Sequence, residues 1–225
     1  MGILGFIFNL FFPPRCVSCK KEGDFLCKKC VQQFRISNLR AKSIYPSSDE
    51  FEYLDGVIYG ADYAKNPQIQ AAIMQFKYKF TRELVGQFGN LVSNKMKEMG
   101  MLKNRHAVLI PVPLHKKRLN YRGFNQAELI ARETAAQFGG QVQVHSFLSR
   151  IKNTSQQAKL NKKERVENLA GAFEVTGDLK LLNGRICFIV DDVCTTGSTL
   201  DNCAKILKER GVKKVYGLVV ARAFK

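Results

Sequence analysis

Short apolar runs alternate along this chain with segments whose apolar residues recur at helical spacing. The runs at 107–112, 186–190 and 215–221 carry no charge and contain many β-branched residues, which is typical of strands buried on both faces of a parallel sheet. A further strand is predicted at 142–148. Because predicted strands alternate with predicted helices, we expect an α/β fold in which helices flank a parallel sheet.

The predicted helices follow breaker residues. Asn66-Pro67 opens a long helix, since apolar residues keep helical spacing as far as Leu84. A second helix is predicted over 127–138, and a third ends near Gly211. Asp55-Gly56 lies between two aromatic-rich runs and predicts a β-hairpin.

The stretch 186–199 joins an apolar strand, two acids, a hydroxyl-rich turn and the start of a helix. The acids are Asp191 and Asp192, and the turn contains Thr195, Thr196, Gly197, Ser198 and Thr199. In such an arrangement the loop amides and the positive end of the helix dipole converge on one anion. We therefore expect the loop 195–199 to hold a phosphate group.

The two acids restrict the kind of phosphate compound. A nucleotide-binding P-loop needs a lysine where Ser198 stands. Two carboxylates would repel a polyphosphate, but they suit vicinal ribose hydroxyls or a hydrated Mg²⁺. A 5′-phosphate in the loop and a ribose beside the acids describe phosphoribosyl pyrophosphate (PRPP). The alternative is an acidic strand end followed by an ordinary helix N-cap.

Four cysteines near the N-terminus form two Cys-x-x-Cys pairs, Cys16 with Cys19 and Cys27 with Cys30. Two such pairs match a tetrahedral four-thiolate zinc site, which is closed and structural. A disulfide pair is the alternative, and the lack of an export signal disfavours it. The loop between the pairs must turn tightly, which Gly23-Asp24 suits.

The N-terminal apolar segment, about 12 residues long, is too short to span a bilayer and lacks the features of a signal peptide. We interpret it as a short amphipathic helix docked on the protein, with weak membrane association as the alternative. No other segment is long enough to be transmembrane, so we expect no stable membrane insertion and a cytoplasmic location.

Two strings resemble known families. IVDDVCTTGST (189–199) resembles the PRPP-binding signature of type I phosphoribosyltransferases, although Ser198 stands where many members carry glycine. PVPLHKKRLNYRGFNQAELIA (111–131) is similar to the ComF/GntX family, the competence-associated branch of that fold. A third pattern fits the same family, and it comprises Thr154, Gln157, Leu160, Arg165, Asn168 and the string GAF at 171–173.

The resemblance covers nearly the whole chain and implies further assignments. It implies a mobile catalytic hood over 150–165, and we expect an N-terminal helix and zinc module at 1–48 before a phosphoribosyltransferase-like domain at 49–225. It also implies a pyrophosphate loop after the strand at 107–112. The candidates there are His115, Lys116, Lys117, Arg118 and Arg122. His115 is open to three interpretations, as a general acid, an anion contact or a surface residue.

The charge balance favours a polyanionic partner. The chain has 36 Lys and Arg against 19 Asp and Glu, a formal charge of +17, which favours nucleic acid or an anionic membrane surface over a neutral partner. A generically basic enzyme is the alternative. We predict single-stranded DNA binding through Lys77–Lys79, Lys116–Arg122 and Lys159–Arg165, in partial competition with PRPP. The candidate stacking rings are Phe76, Tyr78, Tyr121 and Phe124; buried rings with solvated lysines are the alternative around Lys77.

Two functions fit these observations. One is a ComF-like, PRPP-binding protein of natural transformation that handles incoming single-stranded DNA beside a helicase partner. The other is an active, Mg²⁺-dependent phosphoribosyltransferase that transfers ribose 5-phosphate to an unidentified acceptor. The sequence leaves open whether catalysis occurs.

Overall fold

A six-stranded sheet lies at the centre of the chain in this computed structural model. The structure describes residues 13–31, 44–46, 51–78, 81–103, 105–153 and 171–223. The strands are β1 (Ile44–Pro46), β2 (Gly56–Asp62), β3 (Ala107–Pro111), β4 (Val142–Val144), β5 (Leu148–Arg150), β6 (Phe173–Val175), β7 (Ile186–Cys194) and β8 (Val215–Arg222). The central sheet has the order β1-β2-β8-β7-β3-β4, and β5 pairs with β6 in a separate two-stranded sheet.

Every pairing in the central sheet is parallel except that of β1 with β2. Ile189 at the centre of β7 lies opposite Ile110 on one side and Gly217 on the other. Most side chains of β3, β7 and β8 are buried, because layers cover both faces of the sheet. The predicted α/β fold, a parallel sheet flanked by helices, is confirmed.

The helices are α1 (Pro67–Tyr78), α2 (Val85–Glu98), α3 (Lys116–Arg122), α4 (Gln126–Ala136) and α5 (Ser198–Lys208), with 3₁₀ turns at Arg82–Leu84 and Leu179–Leu182. Alternate strand residues face opposite layers. Ile58 and Leu218 pack in one hydrophobic cluster with α1, α2 and α4. Val57 and Val219 pack in a second cluster with α5 and the β5–β6 pair.

Two glycines allow α2 to pack closely against its neighbours. A Cβ at Gly89 of α2 would collide with the Glu133 side chain of α4, and a Cβ at Gly60 of β2 would collide with Leu91 of α2. The absence of a side chain at these positions therefore lets α2 pack tightly against both the sheet and α4.

The predicted hairpin at Asp55-Gly56 is wrong. β2 begins at Gly56 and pairs in parallel with β8, with Ile58 opposite Leu218. Asp55 instead joins distant segments: its carboxylate accepts a hydrogen bond from the Val215 amide at 2.7 Å and pairs with Lys208 at 3.1 Å. The Asp-Gly dipeptide favours a turn locally, but pairing of β2 with the distant strand β8 decides the structure, and hydrophobic periodicity does not predict that pairing.

Two element boundaries also differ from the prediction. The helix after Asn66 ends at Tyr78 rather than continuing to Leu84, which lies in a 3₁₀ turn. The strand predicted at 142–148 is divided into β4 and β5, which belong to different sheets.

The cysteine-rich segment packs on the main core. Cys16, Leu26 and Cys30 belong to the same hydrophobic cluster as Ile58 and Phe76. The predicted boundary at residue 48 lies outside the described residues, and so does the N-terminal segment 1–12. The division into 1–48 and 49–225 therefore stays a prediction. Within the described ranges, no helix combines the length and apolar character needed to cross a bilayer.

Candidate ligand cleft and metal centre

The acid pair lies within β7 rather than after it. β3 ends at Pro111, opposite Val190, whereas β7 continues beside β8 as far as Cys194. Asp191 and Asp192 therefore lie where one neighbouring strand has stopped and the other continues. In parallel sheets, crevices form at the carboxyl ends of the strands where such offsets occur.

An ion pair between a partly exposed lysine and a buried aspartate sets the electrostatics of the acids. Lys77 of α1 contacts Asp192, Nζ to Oδ1, at 2.7 Å, and Asp192 is only 5% exposed. Burial alone would lower the pKa of Lys77, but the charges of Asp192 and Asp191 outweigh burial and raise it. Burial raises the pKa of Asp191 to about 7, the neighbouring Asp192 adds to the rise, and Lys77 opposes it. Asp191 thus changes charge close to neutral pH.

Gly197 shapes the loop that follows the acids. It adopts φ = 75° as the N-cap of α5, a left-handed conformation that glycine reaches without a Cβ penalty. A Cβ here would also collide with the ring of Phe51. The Thr196 and Ser198 hydroxyls lie 2.9 Å apart. The loop amides, these hydroxyls and the N-terminal end of α5 together form a surface suited to one phosphate.

A distant segment holds this loop in place. The Asp201 carboxylate, in the first turn of α5, accepts hydrogen bonds from the backbone amides of Glu52, Tyr53 and Leu54 at 2.9–3.2 Å. Because Phe51 lies directly before these amides, the same segment supports the loop beneath Gly197. The local sequence around Asp201 does not predict this contact, because its partners lie about 150 residues away in the chain.

The acids and the loop line one cleft with several cations. The cleft has a volume of about 460 Å³. Its lining includes Asp191, Asp192, all five loop residues from Thr195 to Thr199, Lys77, Arg118, Arg122 and Arg150. Burial lowers the pKa of Arg150, and the charge of Arg118 lowers it further. Burial also lowers the pKa of Arg122, whereas Asp192 opposes the change. Several guanidinium groups are therefore crowded into one region beside the acids.

The predicted pyrophosphate residues separate into two groups. The segment forms helix α3, and His115 is its N-cap, with Nδ1 accepting a hydrogen bond from the Lys117 amide at 3.3 Å. Arg118 and Arg122 are four residues apart on one face, and both line the cleft. Lys116 and Lys117 are exposed and do not line it. The role of each in binding pyrophosphate stays a prediction.

The predicted stacking rings also separate. Phe76 and Phe124 are buried, with ring centroids 5.7 Å apart, so they cannot stack on DNA bases. Tyr78 and Tyr121 are exposed. Lys79 and the segment 159–165 lie outside the described residues, as does most of the hood predicted over 150–165.

Two cleft residues were not assigned to the PRPP site from the sequence. Lys77 was predicted to contact DNA, yet it pairs with Asp192 in the cleft. Arg150 was the first residue of the predicted hood and instead ends β5. A lysine near the end of an amphipathic helix resembles any solvated lysine, so only the packing of α1 against the sheet could have identified Lys77.

The four N-terminal cysteines lie together in one cluster, as their spacing predicts. The Sγ atoms of Cys16, Cys19, Cys27 and Cys30 all lie within 4.8 Å of one another. Cys19 Sγ and Cys27 Sγ are 3.7 Å apart, close to the ~3.8 Å between sulfurs of a tetrahedral site with Zn–S bonds of about 2.3 Å. The four cysteines are free thiols. The cluster can therefore hold a metal such as zinc.

Backbone hydrogen bonds favour the thiolate form of Cys16, which is the form that binds metal. Burial raises the pKa of Cys16, but the backbone N–H groups of Cys19, Cys27 and Ser18 outweigh burial and lower it to about 6. The Cys27 amide lies 3.5 Å from Cys16 Sγ. Such N–H···S contacts stabilise thiolates and orient metal ligands. Gly23, in the connecting loop, has φ = 117°, as the tight turn requires.

Comparisons with known proteins agree with this architecture. A family described as the phosphoribosyl transferase domain matches residues 125–223. The chain is 32% identical over 205 residues to the DNA utilization protein YhgH of Shigella flexneri, and the alignment covers 89% of this chain and 85% of that protein. The chain belongs to the ComF/GntX family.

Two competence proteins are further relatives in the ComF/GntX family. Competence protein F of Haemophilus influenzae is 36% identical over 115 residues, which cover 51% of this chain and 50% of that protein. Competence protein ComFC of Bacillus subtilis is 30% identical over 149 residues, which cover 66% of this chain and 57% of that protein. The match therefore spans only about half the length of these two relatives. The matched domain, 125–223, contains the acid pair and the loop 195–199, whereas Lys77 and the four cysteines lie outside it.

Proposed function

We propose that this ComF-family chain binds PRPP in the cleft and handles single-stranded DNA. The observation that carries the PRPP proposal is the convergence of the acid pair, the loop 195–199 and Arg118 and Arg122 on one cleft. The loop suits a 5′-phosphate, the acids suit ribose hydroxyls, and the guanidinium groups suit the pyrophosphate.

Mg²⁺ belongs to the same proposal. A carboxylate pair and the phosphate oxygens of PRPP form the all-oxygen ligand set that Mg²⁺ prefers, so Asp191, Asp192 and the ligand would hold the ion together. Bound Mg²⁺ would neutralise part of the pyrophosphate charge. The cations of this chain supply the rest, since Arg118 and Arg122 line the same cleft.

Calorimetric titration with PRPP in the presence of Mg²⁺ tests the proposal. The proposal and its alternative predict opposite changes in PRPP affinity when the acids are replaced. Replacing Asp191 and Asp192 together by Asn keeps their shape and removes both carboxyl groups. If the acids accept hydrogen bonds from the ribose, binding weakens by about 2 kcal/mol, or about 30-fold. If the acids only end a strand and repel the anion, the double variant binds PRPP more tightly, and the proposal fails.

A charge-matched control is Glu83→Gln with Glu209→Gln, because both glutamates are exposed and neither lines the cleft. This control should bind PRPP as the wild type does.

The DNA half of the proposal rests on the family and on charge. The relatives are named as competence and DNA utilization proteins, and a formal charge of +17 suits a polyanion. We place the protein in the cytoplasm, where incoming single strands and a helicase partner would meet it.

An active phosphoribosyltransferase is the second candidate, and one observation favours it. Met74, Tyr78 and Tyr121 are 50%, 56% and 83% exposed, and all three line the same cleft. Exposed rings beside a ribose site would suit a planar acceptor. In the reaction, the bond from ribose C1 to pyrophosphate breaks and a bond to the acceptor forms, while Arg118 and Arg122 hold the departing pyrophosphate.

Pyrophosphate release from PRPP and Mg²⁺, measured with a panel of nucleobases and amines, distinguishes the two candidates. Release that depends on an acceptor supports the transferase. If PRPP binds but no acceptor causes pyrophosphate release, the protein is a PRPP-binding protein and the transferase is excluded.

A further inference from the structure

A second and larger concavity lies at the amino-terminal ends of the parallel strands, whereas the cleft lies at their carboxyl ends. Its volume is about 900 Å³. Three turns form it: one follows α2, one precedes β7 and one precedes β8. β7 begins in this concavity at Ile186 and ends in the cleft at Cys194, so about 25 Å of strand separates the two. We call this concavity the basic groove.

Cations from all three turns line the basic groove, and none of the described residues that line it is acidic. The cations are Lys103, Arg105, Arg185, Arg210, Lys213 and Lys214. Among the ion pairs formed by described residues, none involves these six side chains. Arg185 donates a hydrogen bond to the Gln143 side chain, an uncharged acceptor. The positive charge of the groove is therefore not neutralised within the described structure.

Helix ends do not account for this charge. α2 and α5 both end near the groove, and cations are favoured at carboxyl ends of helices. That effect falls off within the last turn, whereas α2 ends at Glu98 and α5 at Lys208. Lys103, Lys213 and Lys214 lie five or more residues beyond those ends. Arg185 precedes a strand and follows no α-helix directly.

The floor of the groove is apolar and contains an aromatic ring. Ile186, Val212 and Tyr216 line it together with the cations. Tyr216 is partly exposed, and its ring packs on Phe188 with centroids 5.8 Å apart, which fixes its orientation. A single strand presents base faces as well as phosphates, whereas a duplex hides its base faces in the stack. Cationic sides and an apolar floor therefore suit a single strand better.

We propose that the basic groove binds the backbone of single-stranded DNA, so that DNA and PRPP bind at opposite ends of the parallel strands at the same time. The proposal deepens the DNA half of the proposed function by giving it a surface. It differs from the expectation drawn from the sequence, which placed DNA on 116–122 and predicted partial competition with PRPP.

Two charge-matched double variants provide the test. Lys213→Gln with Lys214→Gln removes two charges from the groove, and Lys116→Gln with Lys117→Gln removes two exposed charges at the cleft edge. Affinity for a labelled single strand is measured over a range of salt concentrations. Each phosphate contact contributes about 0.7 to the slope of log affinity against log salt, so the groove variant should lose about 1.4 from the slope. The cleft-edge variant should keep the wild-type slope.

The same titrations with saturating PRPP and Mg²⁺ should give unchanged DNA affinity, and a duplex of equal length should bind more weakly than the single strand. The groove variant should unfold at the wild-type temperature and bind PRPP with wild-type affinity, which excludes misfolding as the cause of lost DNA binding.

Several results would overturn the inference: equal losses in the two variants, a larger loss at the cleft edge, displacement of DNA by PRPP, or duplex binding as tight as single-strand binding. If the wild type binds no single-stranded DNA at near-physiological salt, the DNA half of the proposed function fails as well. PRPP calorimetry still decides the other half independently.

Discussion

Asp191 and Asp192 are adjacent, yet their surroundings differ. Asp192 has Lys77 as a direct partner at 2.7 Å. Asp191 accepts a hydrogen bond from the Asp192 amide at 2.8 Å, but burial and the Asp192 charge raise its pKa to about 7. The ligand-free site therefore contains a carboxyl group whose ionised form is unfavourable. Donors on a bound ribose would stabilise that form.

This raised pKa predicts an unusual dependence of stability on pH. An ordinary aspartate has a pKa of 3.8, against about 7 for Asp191 in the folded protein. Its stabilising contribution is complete below pH 3.8 and is lost as the pH rises through 7. We expect Asp191→Asn, which stays neutral, to be more stable than the wild type at pH 8 by up to about 4 kcal/mol. The difference should shrink towards pH 4. Chemical denaturation at several pH values measures this.

The neighbouring acid provides the control for that measurement. Asp192→Asn removes the partner of Lys77, so it should destabilise the protein at pH 8. An Asp191→Asn variant less stable than the wild type at pH 8 would show that the carboxylate is a favourable part of the ligand-free fold.

The loop 195–199, where we propose that the 5′-phosphate binds, has a shape that depends on a remote segment. Gly197→Ala must accept a left-handed conformation, at about 1–2 kcal/mol, and must also displace the Phe51 ring. We expect a larger stability loss than the conformation alone explains and PRPP binding at least tenfold weaker, in line with the loss of a charged hydrogen bond of about 1.5 kcal/mol or more. Thermal unfolding and calorimetry measure the two effects.

Gly140→Ala is the matched control for the loop, because Gly140 has φ = 89° and open space where a Cβ would lie. Gly140→Ala should lose only the stability that a left-handed alanine costs, and it should bind PRPP as the wild type does. A second variant, Phe51→Leu with Gly197→Ala, should recover part of the loss by relieving the collision. Equal destabilisation by Gly140→Ala and Gly197→Ala would contradict a role for Phe51.

Elements whose signals are local were predictable from the sequence, and those that depend on remote partners were not. The strand, loop and helix around Gly197 follow from periodicity and turn chemistry. The false hairpin at Asp55-Gly56 had an equally clear local signal, but Val215 and Lys208 engage Asp55 instead. The cleft was predictable in its acids and loop, whereas Lys77 was missed because it comes from a different helix.

At the scale of the whole molecule, the cleft and the basic groove lie at opposite ends of the parallel strands, and the four-cysteine cluster packs on the α1–α2 side of the sheet. Cys16 and Cys30 belong to the same hydrophobic cluster as Ile58 of the sheet and Phe76 of α1. The candidate metal centre is therefore joined to the main core through these two cysteines. Loss of metal should affect the stability of the sheet and not only that of the cysteine-rich segment.

One Zn²⁺ per chain should be found in freshly purified, reduced protein. We expect Cys27→Ala to lose this zinc and to lower the unfolding temperature of the whole domain in a single transition, because metal binding supplies folding energy to a segment that packs on the main core. Cys203→Ala is the matched control: Cys203 is fully buried in α5, away from the four ligands, so this variant should keep its zinc. Metal analysis and calorimetric unfolding measure both. Zinc-free wild type would refute the metal assignment, and a separate transition confined to Cys27→Ala would show that the metal centre folds independently of the sheet.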